Sequence, residues 1–286
     1  MEKITKPFFS IIIPTLNEEA YLPLLLADLK KQTFHEWEAF VVDAQSKDRT
    51  VSLTKRFKQI KVIAGSVANV AQQRNLGAQE ASGKYLIFTD ADSRLPHYFL
   101  EGIKYRLSVT KADIFATWIN HDLVQGADRV VVTFFNLILE SGRFLDTPAA
   151  TGAMLGCRRS LFNQLGGFDP TITFAEDSEF VQRAVKAGYH FELFKDPRFS
   201  YSLRRFKQEG TLPMLRKYAK LNLEWIINGF PRQPKIEYPM LGGSYYQCQK
   251  KTSPHFLGRL EGVLQKAKKL KNKQVLKRFI ESLFLD

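Results

Sequence analysis

The feature that most constrains this chain is a regular alternation of short apolar runs and helical patterns over residues 8–92. "FFSIIIPT" reads as a buried strand, and "EEAYLPLLLADLKKQ" follows with apolar residues at helical spacing. "WEAFVVDA" is a second strand, and "SKDRTVSLTKRFKQ" a helix with Ser46 or Asp48 as its N-cap. "KVIAG" is a third strand, "NVAQQRNLGAQEAS" a third helix and "KYLIFTDA" a fourth strand. Apolar strands alternating with helices mean βαβ units, a largely parallel sheet covered on both faces, and right-handed crossovers. The expected class is α/β.

Beyond residue 100 the pattern loosens. "ADIFATWI" reads as a strand, "GADRVVVTFFNLILESG" as a helix and "GAMLGCRR" as another strand. "EDSEFVQRAVKAG" is a helix whose acidic opening suits the dipole at its N-terminus, and "YHFELFKD" and "RFSYSLRRF" close the core. With 286 residues, 44% hydrophobic and 25% charged, the composition is that of a soluble globular protein. Cys157 and Cys248 are too few and too far apart for a disulfide framework or a thiolate metal site, so a reducing, cytoplasmic setting is expected. "MEKITKPFFSIIIP" has no small-residue cleavage site, so no signal peptide is expected. The apolar run "VVVTFFNLIL" is about half of the roughly 20 residues needed to cross a bilayer, so no spanning segment is expected either.

The net charge of +13 is unevenly placed: residues 201–286 hold 18 Lys/Arg against 6 Asp/Glu. From residue 256 onward, apolar side chains such as Phe256, Leu257, Leu260, Val263 and Leu264 recur at helical spacing with lysines opposite. Residues 231–286 are therefore expected to form a basic amphipathic helical extension. An interfacial helix on an anionic membrane surface, through residues 250–286, needs such a pattern, and so does a helical pair packed on the core with solvated lysines. The expected localisation is cytoplasmic, peripheral on the inner membrane face if the first reading holds. No nucleic-acid partner is expected.

The strand "YLIF" ends in Asp90 and Asp92, with small Ala91 between. In open α/β sheets ligands bind beyond the carboxyl ends of the strands. Two close carboxylates repel unless a cation offsets them, and hard ions such as Mg²⁺ or Mn²⁺ take oxygen ligands and share their sites with phosphates. Taken alone, the pair fits a helix cap or a solvated turn equally well. Three other segments should gather at that edge: "PTLNEE", "DAQSKDRT" and "QQRNLG".

Together, "SIIIPTLNEE", "VVDAQSKDRT", "RNLGAQEASGKYLIFTDAD" and "GGFDPTITFAEDSEF" resemble, in order and spacing, the family 2 glycosyltransferases. The resemblance covers about residues 8–206. It implies a GT-A type, Rossmann-like fold over residues 1–230, with a nucleotide-sugar half near 1–110 and an acceptor half near 111–230. It further implies a metal-dependent, inverting transfer from a nucleotide diphosphate sugar, most commonly a UDP-sugar, to a glycan or lipid-linked acceptor. By the same resemblance Pro14, Thr15, Asn17 and Glu18 contact the nucleoside, Asp43 takes the base N–H, and Arg74 lies near base and diphosphate. Asp90 and Asp92, flanking Ala91, would hold Mg²⁺ or Mn²⁺. Ala44 stands where an acidic residue commonly follows the first Asp, which removes a secondary contact.

On the acceptor side, Asp177 falls at the position of the catalytic base with Glu176 beside it; acids stabilising a helix N-terminus would look the same. Gly152 and Ala153, in "TPAATGAMLGCRR", are expected as floor residues where a sugar packs closely. "SLRRF" resembles a relaxed Gln-x-x-Arg-Trp segment: Arg205 takes the Arg position, and Arg204 or Arg205 would approach the diphosphate. Ser202 and Phe206 replace Gln and Trp, which weakens any case for processive synthesis. Three other readings fit the sequence less well. A sugar-nucleotidyltransferase would need a Gly-rich, Arg-containing loop where "PTLNEE" stands. A non-catalytic membrane-surface or nucleic-acid-binding protein would have a degraded site. A dinucleotide oxidoreductase would need G-x-G-x-x-G after the first strand.

Overall fold

The computed structural model describes residues 6–57, 59–120, 126–144, 148–230, 232 and 242–243. Among them the strands are β1 (Phe9–Thr15), β2 (Trp37–Asp43), β3 (Ile60–Ala64), β4 (Tyr85–Thr89), β5 (Ser93–Arg94), β6 (Ile114–Ile119), β7 (Met154–Arg158) and β8 (Phe191–Tyr201). They lie in the order β3-β2-β1-β4-β7-β6-β8-β5. The interleaved helices are α1 (Leu22–Lys30), α2 (Thr50–Thr54), α3 (Val70–Glu80), α4 (Phe99–Thr110), α5 (Gly126–Phe144), α6 (Arg159–Gln164), α7 (Glu176–Lys186), α8 (Arg204–Glu209) and α9 (Thr211–Asn228).

Side chains on a strand alternate between faces, and the core follows that rule. Ile11, Ile13, Ala39, Val41, Tyr85 and Ile87 pack in one cluster with Leu22, Leu25, Leu26 and Leu29 of α1 and Phe99, Leu100, Ile103 and Leu107 of α4. Their neighbours Ile12, Phe40, Val42, Leu86 and Phe88 pack on the other face with Ala71 and Ala78 of α3 and Phe180, Val181 and Ala184 of α7. Both faces are covered, and for that reason the strands read as unbroken apolar runs. Strand β1 pairs in parallel with β2, Phe9 opposite Trp37 through Thr15 opposite Asp43, and also with β4. The first four strands therefore deliver their carboxyl ends to one edge.

Beyond β4 the sheet is mixed. Strand β7 runs antiparallel to both β4 and β6, with Met154 opposite Thr89. It starts at the edge where β4 ends, so the segment leading into it lies beside the carboxylate pair. The two closing segments expected from the sequence form one strand, β8, whose last residue Tyr201 pairs with Ser93.

Two elements differ from the sequence reading. Helix α2 covers only Thr50–Thr54 instead of the expected 46–59 stretch, and no side chain caps it from its N-cap residue Arg49. The reason is competition: Ser46 Oγ accepts from the Asn17 amide and Asp48 Oδ2 from the Glu19 amide, which ties these side chains into a loop. The "RRF" of "SLRRF", expected as the end of the closing segment "RFSYSLRRF", opens a short helix, α8. Residues 250–286 lie outside the described residues.

Candidate active site

The site is assembled from loops that leave the sheet edge. After β1 the chain turns sharply, with Asn17 at φ 53°, and after β2 it does so again, with Gln45 at φ 62°. These left-handed positions are strained for side-chain-bearing residues and persist because hydrogen bonds hold them. Asn17 Oδ1 accepts from the Lys47 amide at 2.8 Å, and the Glu18 amide donates to Thr50 Oγ1 at 2.7 Å. Asp48 accepts from the Glu19 amide at 3.0 Å and the Thr50 amide at 2.9 Å. The expected nucleoside loop and the loop after β2 are thus zipped into one body.

Asp43, at the end of β2, is buried. Its Oδ1 accepts from Thr15 Oγ1 at 3.2 Å, and its Oδ2 from the Ser46 amide at 2.9 Å. Pro14 and Thr15 lie in the fully buried β1. Gln73, a residue the sequence reading passed over, ties the two strand ends together: its Nε2 donates to the carbonyls of Thr15 at 3.0 Å and Val42 at 2.6 Å. Nothing in its sequence context marks it, because a glutamine on a helix reads as surface.

Asp90 and Asp92 stand one residue apart beyond β4, with Ala91 buried between them, and each meets its own arginine. Arg74, from α3, is almost fully buried and places Nη2 3.2 Å from Asp90 Oδ1 and Nη1 2.7 Å from Glu176 Oε1. Burial opposes its charge, but Glu176, Asp90 and Asp177 outweigh that and hold its pKa above the ordinary value. Arg74, expected near base and diphosphate, joins Asp90 to the acidic start of α7. Gly152 closes over it: a Cβ there would lie 2.3 Å from Arg74 Nη2, which excludes any side chain unless the guanidinium moves. The Ala153 carbonyl accepts from Thr89 Oγ1 at 3.0 Å, which locks the strand entry to the end of β4.

Asp92 is held by the second arginine. Arg204 Nε lies 3.2 Å from Asp92 Oδ2, and its two terminal nitrogens grip Glu18 at 2.5 and 2.7 Å. The guanidinium also stacks 4.8 Å from the centre of the Tyr21 ring. Of the two arginines in "SLRRF", Arg204 faces the carboxylates; Arg205, which was named at the family's Arg position, pairs with Glu209 inside α8 at 3.6 Å. The pairing of β8 with β5 explains this, since Tyr201 opposite Ser93 carries the next helix against Asp92. The Ser202 amide even donates to the Asp92 carbonyl at 3.2 Å. Burial pushes the Asp92 carboxyl up to about 7, with Arg204 pulling it down and Asp90 and Glu18 pushing further. Burial likewise raises Glu18, against the pull of Arg204.

Asp177 opens α7 behind Ala175, which sits at φ 62°. Burial, reinforced by the neighbouring Glu176 charge, raises its carboxyl to about 7; Arg74 and the amides of Ser178 and Gly152 pull the other way. Gly243 reaches the loop after β1 from far along the chain, its amide donating to the Leu16 carbonyl at 2.9 Å.

Asp90 and Asp92 fit a hard divalent cation by donor chemistry, being paired carboxylates of which Asp90 is well exposed. Among the described residues no group of three His, Cys, Asp or Glu side chains is placed to hold a metal unaided. A Mg²⁺ or Mn²⁺ ion here would complete its shell with water and phosphate oxygens, as these ions commonly do. No helix among the described residues is long and apolar enough to cross a membrane.

Comparison with known proteins shows what the chain is similar to in sequence and in fold. The chain is 27% identical over 184 residues to an uncharacterized glycosyltransferase of Haemophilus influenzae, 62% of each chain being covered. It is 32% identical over 207 residues to the poly(ribitol-phosphate) beta-N-acetylglucosaminyltransferase TarS of Staphylococcus aureus, covering 69% of this chain but 36% of that protein. This chain therefore spans less than two thirds of the length of either relative. The S. aureus TarS 1–349 structure in complex with UDP-GlcNAc shares the fold at TM-score 0.54 and 19% identity, over 97% of this chain and 71% of that one. So does the mannosyltransferase PcManGT of Pyrobaculum calidifontis in complex with GDP-Man and Mn²⁺, at TM-score 0.63 and 19% identity, over 98% and 74%. The model of the family described as glycosyl transferase family 2 matches residues 10–166, more than half of the sequence, and the chain belongs to that family.

Proposed function

We propose that the protein transfers a sugar from a nucleotide diphosphate sugar, a UDP-sugar, onto an acceptor hydroxyl of a glycan or lipid-linked substrate. The observation that carries this is the convergence at one sheet edge of two carboxylate sets. Asp90 and Asp92 lie beyond β4, and Glu176 and Asp177 open α7, with Arg74 joining the sets through Asp90 and Glu176. Family membership supports the reaction class. The UDP-GlcNAc complex of TarS supports a uridine donor, and the GDP-Man and Mn²⁺ complex of PcManGT supports a divalent ion.

The end of β1 with Pro14 and Thr15, the loop with Asn17 and Glu18, and the Asp43 carboxylate form the nucleoside wall. Asp90 and Asp92 would hold the cation, which when bound neutralises charge developing on the diphosphate. Asp177 accepts the proton from the acceptor hydroxyl as its oxygen bonds to the anomeric carbon. The bond from that carbon to the diphosphate oxygen breaks on the opposite side, and the electron pair leaves with the nucleoside diphosphate, so the configuration inverts. Arg204 is the cation at hand for the leaving group. Glu176, fixed by Arg74, orients the acceptor side with Gly152 and Ala153 as its floor.

The test is a hydrolysis and transfer screen of UDP-, GDP- and dTDP-sugars with Mn²⁺ or Mg²⁺. The expected outcome is turnover of a UDP-sugar that stops when the metal is chelated. Inertness toward every donor would overturn the reading.

A further inference from the structure

Both carboxylates of the pair are already matched by guanidinium groups, and the two matches differ in kind. Asp90 shares Arg74 with Glu176 and stays well exposed on its other side. Asp92 is nearly buried and faces Arg204, whose side chain is itself 13% exposed. Three guanidinium nitrogens are committed: Nε to Asp92, and Nη1 and Nη2 to the two oxygens of Glu18. The flat group is stacked on Tyr21, which fixes its plane. Arg204 thus sits against one of the two carboxylates that a divalent ion would use. Among the described residues no group of three acidic, His or Cys side chains is placed to hold the ion unaided.

A divalent ion approaching Asp92 alone must compete for the same oxygen with the Nε of a desolvated arginine that Glu18 holds in place through its other two nitrogens. Breaking such a pair leaves uncompensated buried charge, which is strongly unfavourable. A diphosphate changes the balance, because its oxygens match the guanidinium fork as a carboxylate does and also supply ligands to the ion. We infer that Arg204 is a resident counter-cation for Asp92 and Glu18 that makes divalent-ion binding conditional on the arrival of a diphosphate, which draws the guanidinium off Asp92. The inference rests on the donor-site reading above. Arg204 is in this sense a positioning residue: it keeps the carboxylates paired until donor and metal enter together, and its charge then moves to the group that leaves. The chemistry demands an arginine here, since a lysine could neutralise charge but could not span Glu18 and Asp92 at once.

Mn²⁺ binding measured by electron paramagnetic resonance, without any nucleotide, reads this directly. R204Q should bind Mn²⁺ alone about tenfold or more tightly than the unaltered protein, within the usual range of coupling between sites. Titrated with UDP in the presence of EDTA, the same variant should bind more weakly than the unaltered protein, because the guanidinium is lost to the diphosphate. R204K should fall between the two in both assays. Should R204Q fail to fold, E18Q/R204Q compared with E18Q carries the same readout with one buried carboxylate fewer. Unchanged or weaker Mn²⁺ binding in the variant would overturn the inference. Adding D92A to R204Q separates the two levels. Loss of the Mn²⁺ signal there keeps the metal at Asp92 whatever Arg204 does, and retention of the signal places the failure in the donor-site reading itself.

Discussion

Asp177, the proposed general base, has a carboxyl whose protonation is set by its surroundings. A general base works only when ionised, and burial together with Glu176 raises this carboxyl to about 7. Activity should therefore fall as pH drops through neutrality and level off above it. Glu176→Gln removes the adjacent negative charge, so the acid limb of kcat/KM should move to lower pH. A limb near the ordinary carboxylate range in the unaltered enzyme would contradict the assignment. That the acids at 90, 92, 176 and 177 gather at one sheet edge was legible in the sequence, because each follows a strand or opens a helix recognisable from its pattern. Which of Arg204 and Arg205 enters the site was not legible. That choice depends on the phase of α8 relative to the β8–β5 pairing, a long-range fact.

The elements that hold these residues were read well where burial dictated the pattern and poorly where side chains had a competing use. Strands β1, β2 and β4 are fully covered along most of their length, so their apolar runs announced them. Helix α2 is shorter than its pattern suggests, since Ser46 serves the neighbouring loop and Asp48 divides its oxygens between the Glu19 amide and the Thr50 amide that opens the helix. Asp48→Ala removes acceptors from the Glu19 and Thr50 amides and should cost about 1–3 kcal/mol. Its kinetic effect should fall on the donor KM more than on kcat, which steady-state kinetics and a denaturant titration can separate. At the start of α7, Ala175 holds a left-handed backbone that glycine adopts without strain. Ala175→Gly should raise the denaturant midpoint, by up to about 1 kcal/mol in stability, while lowering kcat as Glu176 and Asp177 lose their fixed approach. Equal kcat in the two proteins would mean that the strained turn does not position the acids.

At the scale of the whole molecule, charge and catalysis are divided along the chain. Most of the +13 sits after residue 200, and the proposed chemistry sits in residues 14–204. If the stretch 250–286 contacts an anionic membrane, replacing Lys266, Lys268, Lys269, Lys271 and Lys273 by Gln should abolish sedimentation with anionic liposomes, each Lys near such a surface contributing about 1 kcal/mol. Sedimentation unchanged by the five substitutions would remove that role. The central claim is the division between a donor-holding pair and an acceptor-side base, and donor binding measured beside single-turnover transfer tests it most directly. Asp92→Ala should weaken binding of the nucleotide sugar in the presence of metal. Asp177→Asn should bind it normally and transfer it on the order of 10²–10⁴-fold more slowly. The reverse pattern, or the same defect in both variants, would contradict the account.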